Sequence, residues 1–136
     1  MKEYMKLIPN TWLGTYDCGW GNGYVILPIN HPFHGAPYDV INNFVSVHGG
    51  LTYSNRADDG HAGWCVGFDT AHLADTKERW PREAVLAETE RLMEQLISLG
   101  RKYTAEEVEA MVSDYYYDND DEGPEIDSAG FTEEDR

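Results

Sequence analysis

Gly63-Trp64-Cys65-Val66-Gly67-Phe68-Asp69 alternates large apolar residues with small or polar ones at every step. In an extended chain Trp64, Val66 and Phe68 share one face, opposite Cys65, Gly67 and Asp69. The stretch therefore predicts a strand with one well-buried side. Further along, the period changes. From Pro81 to Leu99 the apolar residues Val85, Leu86, Leu92, Met93, Leu96 and Ile97 form a helical stripe, with Glu83, Glu88, Glu90 and Glu94 largely off it. Pro81 suits a first helical position and Gly100 a C-terminal cap. Thr104-Ala105-Glu106-Glu107 has the spacing of a capping box, and Val108, Met111, Val112 and Tyr115 follow at helical intervals. This switch from strand to helix period predicts an α+β fold, a small antiparallel sheet covered by two C-terminal helices.

Upstream, short strands are expected at Thr11–Tyr16, Gly23–Leu27, Asn42–Val47, Leu51–Tyr53 and Gly63–Phe68, with Gly, Pro and Asn punctuating them. Within Asn42–His48, Val45 and Val47 would face one side, and Phe44, Ser46 and His48 the other. Segments 28–39 and 54–62 read as surface loops. The expected organisation is one α+β domain over 1–113, with its sheet part in 1–75 and its helical part in 81–113. An acidic, mobile tail over 114–136 is expected to follow.

The 136 residues carry a net charge of −15, unevenly spread. Residues 1–80 hold five basic and eight acidic side chains, while 114–136 hold ten acidic and one basic. Direct binding to a phosphate backbone is disfavoured, because such affinity comes from Lys and Arg. An acidic surface suits docking on a basic protein instead. No run approaches the roughly 18 apolar residues of a membrane span. The first residues lead into no apolar leader, so a cytoplasmic setting is expected. Cys18 and Cys65 read as free thiols in that setting.

Four histidines and an aspartate fall in three glycine-flanked phrases: His31-Pro32-Phe33-His34-Gly35, Val47-His48-Gly49-Gly50-Leu51-Thr52-Tyr53, and Gly67-Phe68-Asp69-Thr70-Ala71-His72. Histidine and aspartate supply proton transfer, ligation and polar recognition near neutral pH. A strand ending in His48-Gly49-Gly50 would present an imidazole beside exposed N–H groups, a cradle for an anion or oxyanion. A plain hairpin with an incidental histidine fits equally. Asp69 and His72 would share a face and orient one another for acid/base work, or Asp69 would simply cap a turn. The rigid loop with His31, Phe33 and Tyr38 would wall a pocket for a planar ligand or pack on the sheet. His61 reads as solvated.

Local spacing nominates no metal site, and no cofactor is assigned. Neither cysteine has a histidine fixed beside it, and Gly19-Trp20-Gly21-Asn22-Gly23 opens no helix, so a dinucleotide fold is rejected. The acidic run 118–129 matches a calcium loop at Asp118, Asp120, Glu122, Gly123 and Asp127. It places Ala129 where the bidentate glutamate belongs, so a solvated acidic segment is the expected reading.

The central 50 or so residues resemble small bacteriophage and prophage proteins. Carrying the resemblance are Gly23-Tyr24-Val25, His31-Pro32, Tyr38-Asp39, Val47-His48-Gly49-Gly50-Leu51-Thr52-Tyr53-Ser54, and Trp64 through Gly67-Phe68-Asp69 to Ala71-His72. It implies a phage setting, in which small proteins blunt host defences. The leading expectation is a protein that binds a small polar, nucleotide-like ligand through His48, Gly49, Gly50, Tyr53, Asp69 and His72, with His31 and Tyr38 alongside. It would sequester a host-defence signal, or cleave it with His48, Asp69 and His72 as catalytic residues. The rival expectation is an acidic inhibitor that occupies the basic groove of a nucleic-acid-handling protein.

Overall fold

The structure is a computed structural model that describes residues 2–11 and 17–122, with side chains as far as Tyr117. Its strands are β1 (Tyr4–Pro9), β2 (Gly21–Leu27), β3 (Tyr53–Arg56) and β4 (Trp64–Phe68), and its helices α1 (Tyr38–Ile41), α2 (Arg82–Lys102) and α3 (Ala105–Glu122). The strands form one sheet in the order β1-β2-β4-β3. Every pairing is antiparallel, with Val25 opposite Val66 and Tyr53 opposite Gly67. The α+β architecture is therefore as the sequence predicts.

The period-2 reading of β4 holds: Val66 and Phe68 are fully buried, as are Val25 and Leu27 on β2. They meet the stripe of α2, whose Val85, Leu92, Leu96 and Leu99 complete the core. Helix α2 lies against β1 and β2, whereas α3 meets α1 and adds Val108 to the same core. The capping box closes as its spacing requires. The Thr104 amide donates to Glu107 Oε1 at 2.8 Å, and the Glu107 amide to Thr104 Oγ1 at 3.1 Å.

Other expectations are corrected. Strand β1 had no counterpart in the sequence reading, because a half-exposed edge strand carrying Lys6 lacks a clean apolar face. The predicted strand 11–16 falls mostly on residues 12–16, outside the described residues. Asn42–Val47 is no strand but a turn leaving α1, in which the Phe44 amide donates to the Ile41 carbonyl. Gly100 does not end α2, which runs to Lys102. A Cβ there would sit 3.1 Å from His31 Nε2, so the glycine serves a close approach rather than a cap. Helix α3 continues across the expected boundary at 113 to Glu122. Residues 123–136, which include most of the calcium-loop lookalike, lie outside the described residues.

The sheet face away from α2 is open. Gly67 leaves room for the Tyr24 ring, which meets Tyr53 edge-on with centroids 5.6 Å apart. Tyr4, Lys6, Arg56 and Cys65 also line this shallow hollow of about 330 Å³. Burial pushes the Cys65 thiol up to about 11, so it is no nucleophile at neutral pH.

His31 is 5% exposed and ties the 28–36 loop to α2. Its Nδ1 accepts the Phe33 amide at 3.0 Å, which leaves Nε2–H to donate to the Leu96 carbonyl at 2.8 Å. Burial lowers its pKa from 6.5, against an opposing pull from the Leu96 carbonyl. A histidine kept neutral in this way adds stability that is complete above about pH 6.5 and is lost as pH falls toward the folded value. His31→Leu should cost about 1–3 kcal/mol, by orphaning buried partners. Denaturant melts at pH 5 to 7.5 should also show a flatter pH dependence for the variant than for the wild type.

Candidate functional site

Two segments distant in sequence build the site. The first, 45–51, has no strand partner, so its backbone is bound by polar side chains of α2. The Ser46 amide donates to Gln95 Oε1 at 2.7 Å, and the Ser46 carbonyl accepts Arg91 Nη2 and Gln95 Nε2. The His48 amide donates to Glu88 Oε2 at 2.8 Å. Glu88, Arg91 and Gln95 recur along one edge of the helix, which is why one side of α2 can hold an irregular chain. Arg91, bonded to Glu88, holds that carboxyl below its ordinary range despite partial burial. The turn closes when the Gly50 amide donates to the Val47 carbonyl, with positive φ at both Gly49 (70°) and Gly50 (81°).

The second segment leaves the end of β4. Asp69 Oδ1 accepts the Ala71 amide at 3.1 Å, so Asp69 caps a turn as one of its two readings proposed. Two residues later the chain folds back, and the Asp75 amide donates to the His72 carbonyl at 2.9 Å. The Asp75 carboxylate, only 4% exposed, then becomes a common acceptor. It takes the His72 amide at 2.9 Å, His72 Nδ1–H at 2.9 Å and His48 Nε2–H at 2.9 Å. Burial alone would raise this carboxyl; the three donors outweigh it and hold the pKa below the ordinary 3.8. Because an ionised carboxylate only accepts, both ring nitrogens facing it carry the hydrogen.

The rings are fixed from other sides too. The His48 ring lies over Trp80 at 4.1 Å between centroids, with a 33° tilt, and meets His72 edge-on at 5.0 Å. His72 in turn rests on Gly49, where any Cβ would run into the imidazole. Its outer nitrogen, Nε2, lies 3.5 Å from Asp69 Oδ1. Beside the centre is an open hollow of about 350 Å³, lined by Asp17, Ala71, His72, Leu73, Ala74, Asp75 and Thr76.

Of the residues singled out from sequence, His48, Gly49, Asp69 and His72 come together. Gly50 joins them as part of the turn, beside Asn42, whose Oδ1 accepts the Leu51 amide. Three others do not join. Tyr53 belongs to the open sheet face, His31 is buried against α2, and the Tyr38 amide at the start of α1 donates to Ser54 Oγ. The carboxylate that orients the imidazoles is Asp75, with Asp69 secondary. The sequence reading missed Asp75, although His72-Leu73-Ala74-Asp75 offers a second carboxylate at the same three-residue spacing as Asp69 and His72. Trp80 and Glu88 had no local signal, since each acts through residues far along the chain.

Asp75→Asn should cost about 1–3 kcal/mol, because it leaves imidazole donors poorly matched. A carboxyl with a lowered folded pKa adds stability that is present above about pH 3.8 and is lost as pH falls through the folded value. The variant should therefore lose part of the acid-unfolding slope below pH 4, measured by denaturant titration at each pH. Gly49→Ala should cost about 1–3 kcal/mol through its positive φ, and more through collision with His72. No protein-family model, curated protein or solved structure matches this chain.

Proposed function

We propose that this protein binds a small polar, nucleotide-like ligand at the His48–His72–Asp75 centre, and that its setting is the phage one its central phrases resemble. One observation carries the reading: two imidazoles from separate segments share a single buried carboxylate, and one of them, His72, lines an open hollow together with that carboxylate. Ordinary packing does not require that arrangement, and a pair of oriented histidines is suited to polar recognition and proton transfer. The hollow's character narrows the ligand. Asp17 and Asp75 line it, none of its lining residues is Lys or Arg, and fully exposed Leu73 stands at its rim. Hydroxyl and amino donors of a nucleoside suit the carboxylates, and a base edge suits the apolar rim.

Binding alone sequesters a signal. In the hydrolytic version, water attacks phosphorus and gives its proton to a neutral imidazole, while the ester oxygen leaves with the outward N–H proton of the other ring, which enters the step as an imidazolium. With Nε2–H of His48 and Nδ1–H of His72 turned to Asp75, the outward nitrogen of the neutral ring carries the lone pair for the first transfer.

The test is thermal unfolding with a panel of nucleosides, mononucleotides and cyclic nucleotides. A ligand at 100 times its Kd adds about 2.7 kcal/mol, a shift of several degrees. His48→Ala should abolish that shift, and deletion of residues 123–136 should leave it intact. Absence of any shift across the panel, or an undiminished shift in folded His48→Ala, contradicts the proposal.

A further inference from the structure

We propose that His48, His72 and Asp75 form a binding site for a divalent first-row transition-metal ion. The inference deepens the reading above and rests on it for the role of the centre, but its test needs no ligand except the metal.

Geometry is the first argument. One ligand atom from each of the three side chains can be chosen so that all lie within 4.8 Å of one another. The nitrogen–carboxylate separations are 2.9 Å for His72 Nδ1, and 2.9 and 3.1 Å for His48 Nε2. Around a tetrahedral ion with bonds of about 2.1 Å, ligand atoms stand about 3.4 Å apart. An ion replacing the two ring protons would open these contacts by about 0.5 Å, a side-chain adjustment. Two imidazoles and a carboxylate also suit borderline divalent ions better than magnesium or calcium, which favour all-oxygen sites.

Asp69 points to the same ion. If His72 gives Nδ1–H to Asp75, its Nε2 lone pair faces a second carboxylate, 3.5 Å from Asp69 Oδ1. That is a repulsive pairing in the neutral ring. With a metal on Nδ1, the hydrogen moves to Nε2 and points at Asp69, the outer carboxylate that orients many metal-bound histidines. A carboxylate on each side of His72 thus suits a metal at Nδ1, as it also suits an imidazolium that donates to both.

Charge supplies the third argument. Asp69, Asp75 and Glu88 stand around the two rings, and the neighbouring Arg91 is engaged by Glu88 and the Ser46 carbonyl. The centre is thus short of positive charge. A bound dication would supply it and would let a phosphate approach a surface that otherwise repels it. Three protein ligands also leave positions open for water and ligand oxygens, as in catalytic rather than structural metal sites.

The experiment is titration of the chelator-treated full chain with Zn2+ in competition with a chromophoric chelator, followed by NMR of the histidine rings. One equivalent of Zn2+ should bind per chain, shift the ring signals of His48 and His72, and leave those of His34 and His61 unmoved. Excess Ca2+ should not displace it. His48→Ala and His72→Ala should lose the stoichiometric ion, and Asp69→Asn should weaken it about 10–100-fold at unchanged stoichiometry. The ring shifts are read on the wild type, so the proposal stays open to refutation if an alanine variant fails to fold. No binding, binding that Ca2+ displaces, or ring signals of His48 and His72 that ignore Zn2+ would overturn it. A metal without nucleotide binding would instead leave this site standing and refute the ligand reading alone.

Discussion

The Asp75 carboxylate fastens together two turns that the pairing of β3 with β4 brings near one another. Removing a carboxylate from water costs several kcal/mol unless donors replace the lost hydration. Here the replacement comes from the His72 amide and from the rings of His72 and His48. Those donors lie on two stretches more than twenty residues apart, so satisfying one buried charge fixes the turn at 48–50 against the turn at 69–75. The orientation of both imidazoles follows from the same constraint, as does the shape of the adjoining hollow.

Helix α2 is the frame against which this happens. Its apolar stripe holds the sheet through Val85, Leu92 and Leu96, and its polar edge holds the irregular segment 45–51. A backbone without strand partners must find donors and acceptors elsewhere, and Glu88, Arg91 and Gln95 provide them. The two roles are linked mechanically. A change in how α2 seats on β1 and β2 would carry the His48 amide with it through Glu88. On the opposite side, Trp80 lies under the His48 ring just before the helix begins.

The legible parts of the fold were those with a strong period or a local chemical signature. The alternation in 63–69, the stripe in 81–99 and the capping box at Thr104 each depend on neighbours close in sequence, and each matches the structure. Asn42–Val47 misled because Val45 and Val47 alternate as a strand would, whereas α2 side chains capture the backbone in between. Gly100 misled for a related reason: a helix-ending glycine and a glycine making room for His31 look identical in a linear chain. At the site, His48, Gly49, Asp69 and His72 were found because glycine and histidine together are unusual. Asp75 was overlooked because its partner 27 residues upstream is visible only after folding. His31 and Tyr53 drew notice by residue type alone, and tertiary packing sends them elsewhere.

No helix among the described residues is long and apolar enough to cross a membrane. Most of the acidity lies in the helices and beyond Glu122, while Asp69 and Asp75 stand at the histidine centre itself. Its chemistry depends on which ring nitrogens hold hydrogen. The most direct measurement is two-bond 15N–1H correlation NMR of the imidazoles in the metal-free protein above pH 7.5. His48 is expected as the Nε2–H tautomer and His72 as the Nδ1–H tautomer, with both assignments lost in Asp75→Asn. Opposite tautomers, or rings indifferent to Asp75, would contradict this.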